Sequence, residues 1–204
     1  MSTRASAPAQ PARRRGRPVA TSADDTRRRV LDVARAEFAE KGYSAATMRS
    51  IAAGAGATAM TLYTYAPSKA ALFVAAWEDS IDQIYADYEQ VVAGRGSLVE
   101  EIDALLDRSR DLLRERPEHI RLVLRVLLDH EHPELADADL EPRAALDFYA
   151  HLVDRAVNRG EIAARDRTRV TTSIVTLLWG MTTLTAFDPD RLDAIVDSAK
   201  WWTK

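Results

Sequence analysis

Cysteine is absent from the 204 residues of this chain, and histidine occurs only four times. Without cysteine the protein cannot form a disulfide, an iron–sulfur cluster or a thiolate zinc site, and a reducing cytoplasm is compatible with that. Segments with the alternating pattern of a β-strand are also missing, and nearly every stretch after residue 20 has helical spacing instead. These absences predict a cytoplasmic, all-α protein.

Long apolar runs are scarce as well. The start of the chain carries basic residues but lacks the apolar core of a secretory signal. The longest uncharged stretch, residues 170–187, has 18 residues, which is the lower limit for a membrane span. Seven of them are Ser or Thr, and no basic cluster closely follows. We therefore interpret this stretch as a helix buried on all sides.

Charge is unevenly distributed along the chain. Residues 1–69 hold 12 Lys and Arg against 5 Asp and Glu, whereas residues 70–204 hold 16 against 26. A basic first third on an acidic body indicates that only the N-terminal part contacts a polyanion. We expect a disordered basic arm over residues 1–20, a second unit over 21–68, and a larger C-terminal unit over 69–204.

Capping and stop residues divide the chain into helices. Ser22 is expected to cap a first helix that runs to about residue 40, with Gly42 as its stop. Thr47 is expected to cap the second helix and Thr58 the third. Further helices are predicted over about 68–92, 97–115, 117–129, 143–159, 166–186 and 189–202.

Three short helices within about 45 residues, the last two joined by a tight glycine turn, form a helix-turn-helix pattern. On the third helix Ala59, Leu62 and Ala66 share an arc that should face the first two helices. Its other side carries short and hydroxyl-bearing side chains, which suits close approach to base edges in a DNA major groove. The alternative is a small amphipathic helix with solvated hydroxyls. The candidate groove residues are Met60, Thr61 and Thr64, and the candidate phosphate contacts on the two flanks are Tyr63 and Tyr65.

Two other features favour nucleic acid. Lys69 lies in the first turn of a helix, where the helix dipole disfavours a cation unless a phosphate binds there. In RRRGRP, residues 13–18, Arg15 and Arg17 suit a narrow A·T-rich minor groove, and Arg13 and Arg14 suit phosphates. The plain alternatives are a solvated surface lysine and a solubilising basic tail.

At this point the chain resembles the TetR family of bacterial transcriptional regulators. The resemblance is carried by TMRSIAAGAGATAMTLYTYAPSKAALF, residues 47–73, and extends upstream through RRRVLDVARAEFAEKGYSAAT. It implies an N-terminal three-helix DNA-binding domain on a larger helical bundle, and a homodimer on a palindromic operator. It further implies repression that is released by a small-molecule effector, with no cofactor and no enzymatic activity. Arg49 would contact DNA from the second helix, and Thr58 would join the groove residues.

The sequence departs from the family pattern at two positions. Ala66 stands where many members have Phe, which should loosen the packing under the third helix. Met60 stands where many have Gly, so the operator sequence cannot be carried over from relatives.

The resemblance also implies that the last two long helices, residues 143–159 and 166–186, form a four-helix interface with a second copy. The candidate residues near this seam are Leu146, Tyr149, Leu152, Val153, Leu177, Leu178 and Met181. An effector cavity is expected among the helices after residue 70, although aromatic residues at helical spacing more often form plain core. Its candidate lining residues are Trp77, Tyr85, Tyr88, Leu124, Phe148, Thr172, Thr176 and Trp179.

Two other functions compete with this interpretation. DHEH at residues 129–132, followed by Glu134, contains metal-ligating residue types, but His130 and His132 lack the i, i+4 helical spacing of a zinc protease. We expect no metal site on that ground. The other alternative is a nucleoid-type protein that binds any DNA through the basic arm alone.

Overall fold

The computed structural model describes residues 23–201, and every regular element in that range is helical, which confirms the predicted fold class. The basic arm and the Ser22 cap lie outside the described residues. Short 3-10 turns at 133–135, 164–166 and 189–191 connect the later helices. The helices are α1 (Ala23–Ala45), α2 (Met48–Gly54), α3 (Ala59–Tyr65), α4 (Lys69–Val92), α5 (Leu98–Glu115), α6 (Pro117–Asp129), α7 (Arg143–Asn158), α8 (Arg167–Phe187) and α9 (Leu192–Trp201).

Serine caps begin α4 and α5 as the sequence predicts. The Ser68 hydroxyl accepts the Ala71 backbone N–H at 3.1 Å, and Ser97 accepts the N–H of Glu100 at 3.3 Å. The Glu100 carboxylate bonds back to the N–H of Gly96 at 2.8 Å, one residue before the expected position. These bonds satisfy N–H groups that have no partner inside the helix.

Gly42 ends the regular part of α1. Its φ of 76° and ψ of 174° break the helical path, and one further turn runs to Ala45. A positive φ is accessible to glycine at little cost because glycine has no Cβ. The break turns Tyr43 back into the protein, where it is fully buried.

The N-terminal helices and the bundle share one hydrophobic core. Val30, Ala34 and Phe38 on α1 are fully buried, and α1 packs against both α4 and α6. The Phe73 ring of α4 meets Phe38 edge-on, with ring centroids 5.0 Å apart, and Tyr43 at 5.4 Å. The start of α4 is therefore anchored in the first three helices, while the rest of it belongs to the bundle.

The expectation that residues 170–187 form a helix buried on all sides is wrong for the single chain. Only Ile174, Leu178, Met181 and Thr185 of α8 are buried, and 22% of its most apolar window is enclosed. By length and composition the helical run Ala164–Phe187 could cross a membrane. Its burial stripe is one-sided because α7 and α9 cover only part of the surface of α8.

Candidate nucleic-acid interface and effector cavity

Two threonine caps and one glycine build the α2–α3 turn. Thr47 Oγ1 accepts the backbone N–H of Ser50 at 3.1 Å, and Thr58 Oγ1 accepts that of Thr61 at the same distance. Between the helices Gly56 has a φ of 64°, a conformation that disfavours any side chain although the space around it is open. The predicted helix-turn-helix is therefore present with the predicted caps.

The outward face of α3 carries the side chains that the helical wheel assigns to it. Met60 is 78% exposed, Thr64 is exposed, and Leu62 is fully buried beneath them. Thr61 is half-buried, and its hydroxyl lies 2.9 Å from that of Thr58, so these two hydroxyls already share a bond. Met60 is therefore the most exposed large apolar side chain of α3.

One member of the predicted inward arc of α3 differs from expectation. Ala59, in the first turn of the helix, is exposed. Ala66, at the other end of the arc, is 2% exposed as the arc predicts.

The two tyrosines of α3 point in different directions. Tyr63 is 51% exposed and makes no hydrogen bond within residues 23–201, as is also the case for the exposed Arg49 on α2. Tyr65 is half-buried, and its hydroxyl donates to the Ala23 carbonyl oxygen at 3.3 Å. Tyr65 thus ties the end of α3 to the start of α1, whereas Tyr63 and Arg49 are open to a partner.

Lys69 has a partner within the chain. Its ammonium donates to the carbonyl oxygens of Tyr43 at 3.0 Å and Ala46 at 3.4 Å, and lies 4.2 Å from the centre of the Tyr43 ring. These carbonyls close the C-terminal end of α1, where a cation is favoured. The unfavourable position at the start of α4 is thus offset without a phosphate, and a phosphate contact by Lys69 stays a prediction.

A polar joint that the sequence did not predict connects α1 to the bundle. The hydroxyl of Tyr43 donates to Glu134 at 2.6 Å, and its backbone N–H donates to Asp129 at 2.9 Å. The Tyr43 bond lowers the pKa of Glu134, and burial raises the pKa of Tyr43 itself. His132, one of the metal-ligating residue types considered above, packs its ring against that of Tyr43, with the ring centroids 4.7 Å apart. No metal-binding group of three or more His, Asp or Glu occurs in the described part of the chain.

Arg35 forms the second half of this joint. It is 3% exposed and bonds to Asp79 and, at 3.0 Å, to the Ser80 hydroxyl, both on α4, and to Asp32 on its own helix at 2.9 Å. The sequence carries a signal for this buried ion pair. Arg35 stands four positions after Leu31, so a charged residue lies on the apolar stripe of α1.

A small cavity of about 40 Å³ lies in the bundle between α4, α6, α7 and α8. Three predicted effector residues line it, namely Tyr85, Tyr88 and Trp179. Phe148 is buried beside it, with its ring 5.3 Å from that of Tyr85. Burial raises the pKa of both Tyr85 and Tyr88, so their hydroxyls stay protonated at neutral pH.

The other predicted effector residues lie elsewhere. Trp77 is buried next to a surface cleft of about 250 Å³ between α4 and residues 139–144. Leu124 lines an outer cleft of about 150 Å³ between α6 and the end of α8. Thr176 lines a groove between α8 and α9, and Thr172 is exposed. The predicted set is therefore spread over several places because its members lie on different faces of their helices.

The expected dimer seam needs correction. Five of its seven residues are 4% exposed or less, so they form the core of one chain and are not available to a second copy. Only Leu146, at 45% exposure, and the half-buried Leu177 remain at the surface. The five core residues are Tyr149, Leu152, Val153, Leu178 and Met181.

The exposed apolar surface lies instead on α8 and α9. Leu184 is 57% exposed, Phe187 85% and Trp201 68%. A groove of about 620 Å³ runs between the two helices, lined mainly by apolar residues.

Similar proteins fit this architecture. The aligned part of the HTH-type transcriptional repressor KstR2 of Mycobacterium tuberculosis is 29% identical over 106 residues, about half the length of either chain (52% of each). FadR of Bacillus subtilis, solved in complex with stearoyl-CoA, superposes with a TM-score of 0.74 at 19% identity, covering 86% of this chain and 96% of FadR. AibR, solved with isovaleryl coenzyme A and operator DNA, gives 0.64 at 22% identity, covering 86% and 96%.

The structural likenesses establish the fold, and the family follows from the helix-turn-helix segment. Residues 30–76, from the buried stripe of α1 to the first turns of α4, match the family model of "Bacterial regulatory proteins, tetR family". These residues include both threonine caps, the exposed face of α3 and Lys69. On this match, the chain carries the N-terminal DNA-binding domain of the TetR family of bacterial regulatory proteins.

Proposed function

We propose that this protein is a ligand-responsive repressor that binds a palindromic operator as a homodimer and leaves it when a small molecule binds the bundle. The observation that carries the proposal is the outward face of α3, where Met60 and Tyr63 are exposed above a fully buried Leu62. A short helix held rigidly by caps, with unpaired side chains on one side, suits insertion into a major groove. The units are a DNA-binding domain to residue 68 and an effector and dimerisation domain from 69.

DNA contacts divide into two kinds in this proposal. Met60, Thr61 and Thr64, with Thr58 at the cap, read base edges, and Met60 offers an apolar contact for a thymine methyl group. Arg49 and Tyr63 hold the phosphate backbone, because both are exposed and unpaired in the described range. Tyr65 and Lys69 bond within the chain, so their phosphate contacts use only their remaining hydrogen-bonding capacity. Arg13, Arg14, Arg15 and Arg17 supply the minor-groove arm.

The dimer is proposed to form through α8 and α9. Two copies of the surface around Leu184 and Phe187 would bury it in a four-helix contact, which a protein of this family needs to span two half-sites. A dimer contact explains the exposed apolar side of α8 better than insertion into a lipid bilayer does. The charged residues of α9 lie beside this surface, and a bilayer would not accommodate them.

The effector is proposed to be a small molecule bound in the bundle. The structural neighbours FadR and AibR were solved with acyl-CoA molecules, which makes an acyl-CoA a candidate here. The relatives are transcriptional regulators, and we assign no catalytic activity and a cytoplasmic location to this chain.

Selection of bound fragments from genomic DNA tests the proposal. We expect enrichment of a palindrome with half-sites about one helical turn or more apart, and a footprint of matching length. Binding that depends on salt but shows no sequence preference would instead identify a nucleoid-type protein and contradict specific regulation.

A further inference from the structure

The cavity in the bundle is built entirely from uncharged side chains. It lies between the start of the effector domain on α4 and the helices α6, α7 and α8. An ionised carboxylate or amine placed here would lose its hydration without gaining a counter-charge, which is costly. The lining consists of Ile81, Ile84, Tyr85, Tyr88, Ile120, Val123, Tyr149, Leu178, Trp179 and Thr182.

Two tyrosine hydroxyls at this cavity share a single hydrogen bond. The Tyr85 hydroxyl donates to that of Tyr149 at 3.2 Å, and the pair has no other hydrogen bond to residues 23–201. Two hydroxyls bring two hydrogens, so one O–H hydrogen of the pair lacks an acceptor in the protein. Tyr149 is 2% exposed, which leaves a nearly buried donor at the cavity wall.

The neighbouring Tyr88 provides a contrast. It is 6% exposed, and its hydroxyl bonds to the buried Ser109 hydroxyl at 2.7 Å. Tyr88 is therefore engaged, while the indole N–H of the half-buried Trp179 makes no bond within the described range. The hydrogens without an acceptor at this cavity are therefore one hydroxyl hydrogen of the Tyr85–Tyr149 pair and the Trp179 indole N–H, and an acceptor on a ligand would satisfy them.

The cavity can extend toward the surface past one side chain. Ile120 lines both the inner cavity and the outer cleft of about 150 Å³ that contains Leu124. The inner volume of about 40 Å³ holds little more than a water molecule, so a larger occupant requires Ile120 or Trp179 to move.

We infer that the effector presents an uncharged carbonyl oxygen on an apolar body, as an ester, thioester, ketone or lactone does, and that the Tyr85–Tyr149 pair donates to this oxygen. The inference rests on the proposed function, since it names the ligand class of the proposed effector site. The wall of the inner cavity offers a free carboxylate or amine no counter-charge, since Arg121 lines only the outer cleft.

A matched set of probes tests the inference on the full chain. Binding of methyl octanoate, octanoate and octylammonium is measured by calorimetry and by release of the selected operator fragment. We expect the methyl ester to bind at least tenfold more tightly than either ion and to release DNA. Octanoyl-CoA serves as a fourth probe that distinguishes the two sources of the carbonyl. If it binds more tightly than the methyl ester, the effector is a coenzyme A thioester. If it binds more weakly, the effector is a free ester or ketone.

Variants connect the effect to the tyrosine pair. Because loss of Tyr149 alone frees the Tyr85 hydroxyl, the test uses Tyr85→Phe combined with Tyr149→Phe, and we expect about tenfold weaker ester binding. Tyr88→Phe is the matched control, a buried tyrosine at the same cavity whose hydroxyl is already engaged, and it should change ester binding less than threefold. Unchanged melting curves and operator binding without probe show that each variant is folded.

Two outcomes overturn the inference. Octanoate or octylammonium binding as tightly as the ester contradicts the uncharged class, and equal losses in Tyr88→Phe and the double variant contradict donation by the pair. Both leave operator binding intact, whereas failure of the proposed function appears as an absence of operator preference before any probe is added.

Discussion

The helix-turn-helix and the bundle differ in how local their functional surfaces are. In the first, one seven-residue helix between two capped turns exposes Met60 and Tyr63 and buries Leu62, as a helical wheel predicts. In the second, residues with equally regular spacing, such as Tyr149 and Leu178, lie inside the chain although they were expected at a seam. A surface on one short helix depends on local geometry, whereas a surface on a bundle depends on which faces the neighbouring helices cover.

The polar joint shows that the two regions are not independent. Arg35 and Tyr43, both on α1, bond to Asp79 on α4 and to Glu134 after α6. Movement of the bundle around an effector would therefore act on α1 through directed bonds as well as through packing. The following predictions test this comparison.

The largest effect is expected from Arg35→Ala. Loss of this buried guanidinium removes its bonds to Asp79 and Ser80, which keep only those to Gln83 and to the Ala76 carbonyl, and should lower the free energy of unfolding by about 3–5 kcal/mol. Urea denaturation measures the change. Arg49→Ala, which removes an exposed arginine, should cost less than about 0.5 kcal/mol. A loss below about 1 kcal/mol for Arg35→Ala would show that the joint does not hold the regions together.

The next effect concerns the proposed dimer. Leu184→Asp combined with Phe187→Asp places two charges in the proposed seam and should raise the dimer dissociation constant by about 100-fold or more. Sedimentation equilibrium measures it. Leu128→Asp, at a residue 72% exposed on α6, is the control and should leave the constant unchanged. Equal effects of both changes would place the seam elsewhere.

A smaller effect is expected at the recognition helix. Met60→Ala removes the most exposed large apolar side chain of α3 and should weaken operator binding about tenfold while leaving random DNA unaffected, because it removes only a base contact. Fluorescence anisotropy on both DNAs measures the ratio. Leu128→Ala, an exposed apolar residue away from α3, should change neither affinity. Parallel losses on operator and random DNA would contradict base reading by Met60.

The smallest effect concerns acid stability. His119 on α6 is 2% exposed, and burial, followed by the nearby Arg35 charge, lowers its pKa below 6.5. Below pH 6.5 the unfolded chain binds a proton that the folded chain resists, so stability present above that pH is lost as the pH falls. His119→Gln should reduce this loss in denaturation measured from pH 7 to 5. His130→Gln, at an exposed histidine, should leave the loss of stability unchanged. An identical pH profile for the two variants would contradict a contribution from His119.

The sequence predicted most of the helices because helix ends carry local signals. Thr47, Thr58, Ser68 and Ser97 all form the expected caps, since a cap requires only a hydroxyl and an N–H three residues later. The last helix begins three residues later than predicted, because Pro189 opens a 3-10 turn before α9. The effector residues were predicted less well, because Trp77, Leu124 and Thr176 face three different clefts.

The amino-acid sequence by itself determined the all-helical fold, the family and the face of α3 that is exposed. Each of these follows from spacing within a few turns of helix and from caps that need no distant partner. Only the tertiary structure decided that Lys69 contacts the end of α1, that Arg35 and Tyr43 connect the two regions, and that α8 and α9 leave an apolar surface uncovered. Those features depend on contacts between residues far apart in the chain, whose mutual burial is set by packing and not by local spacing.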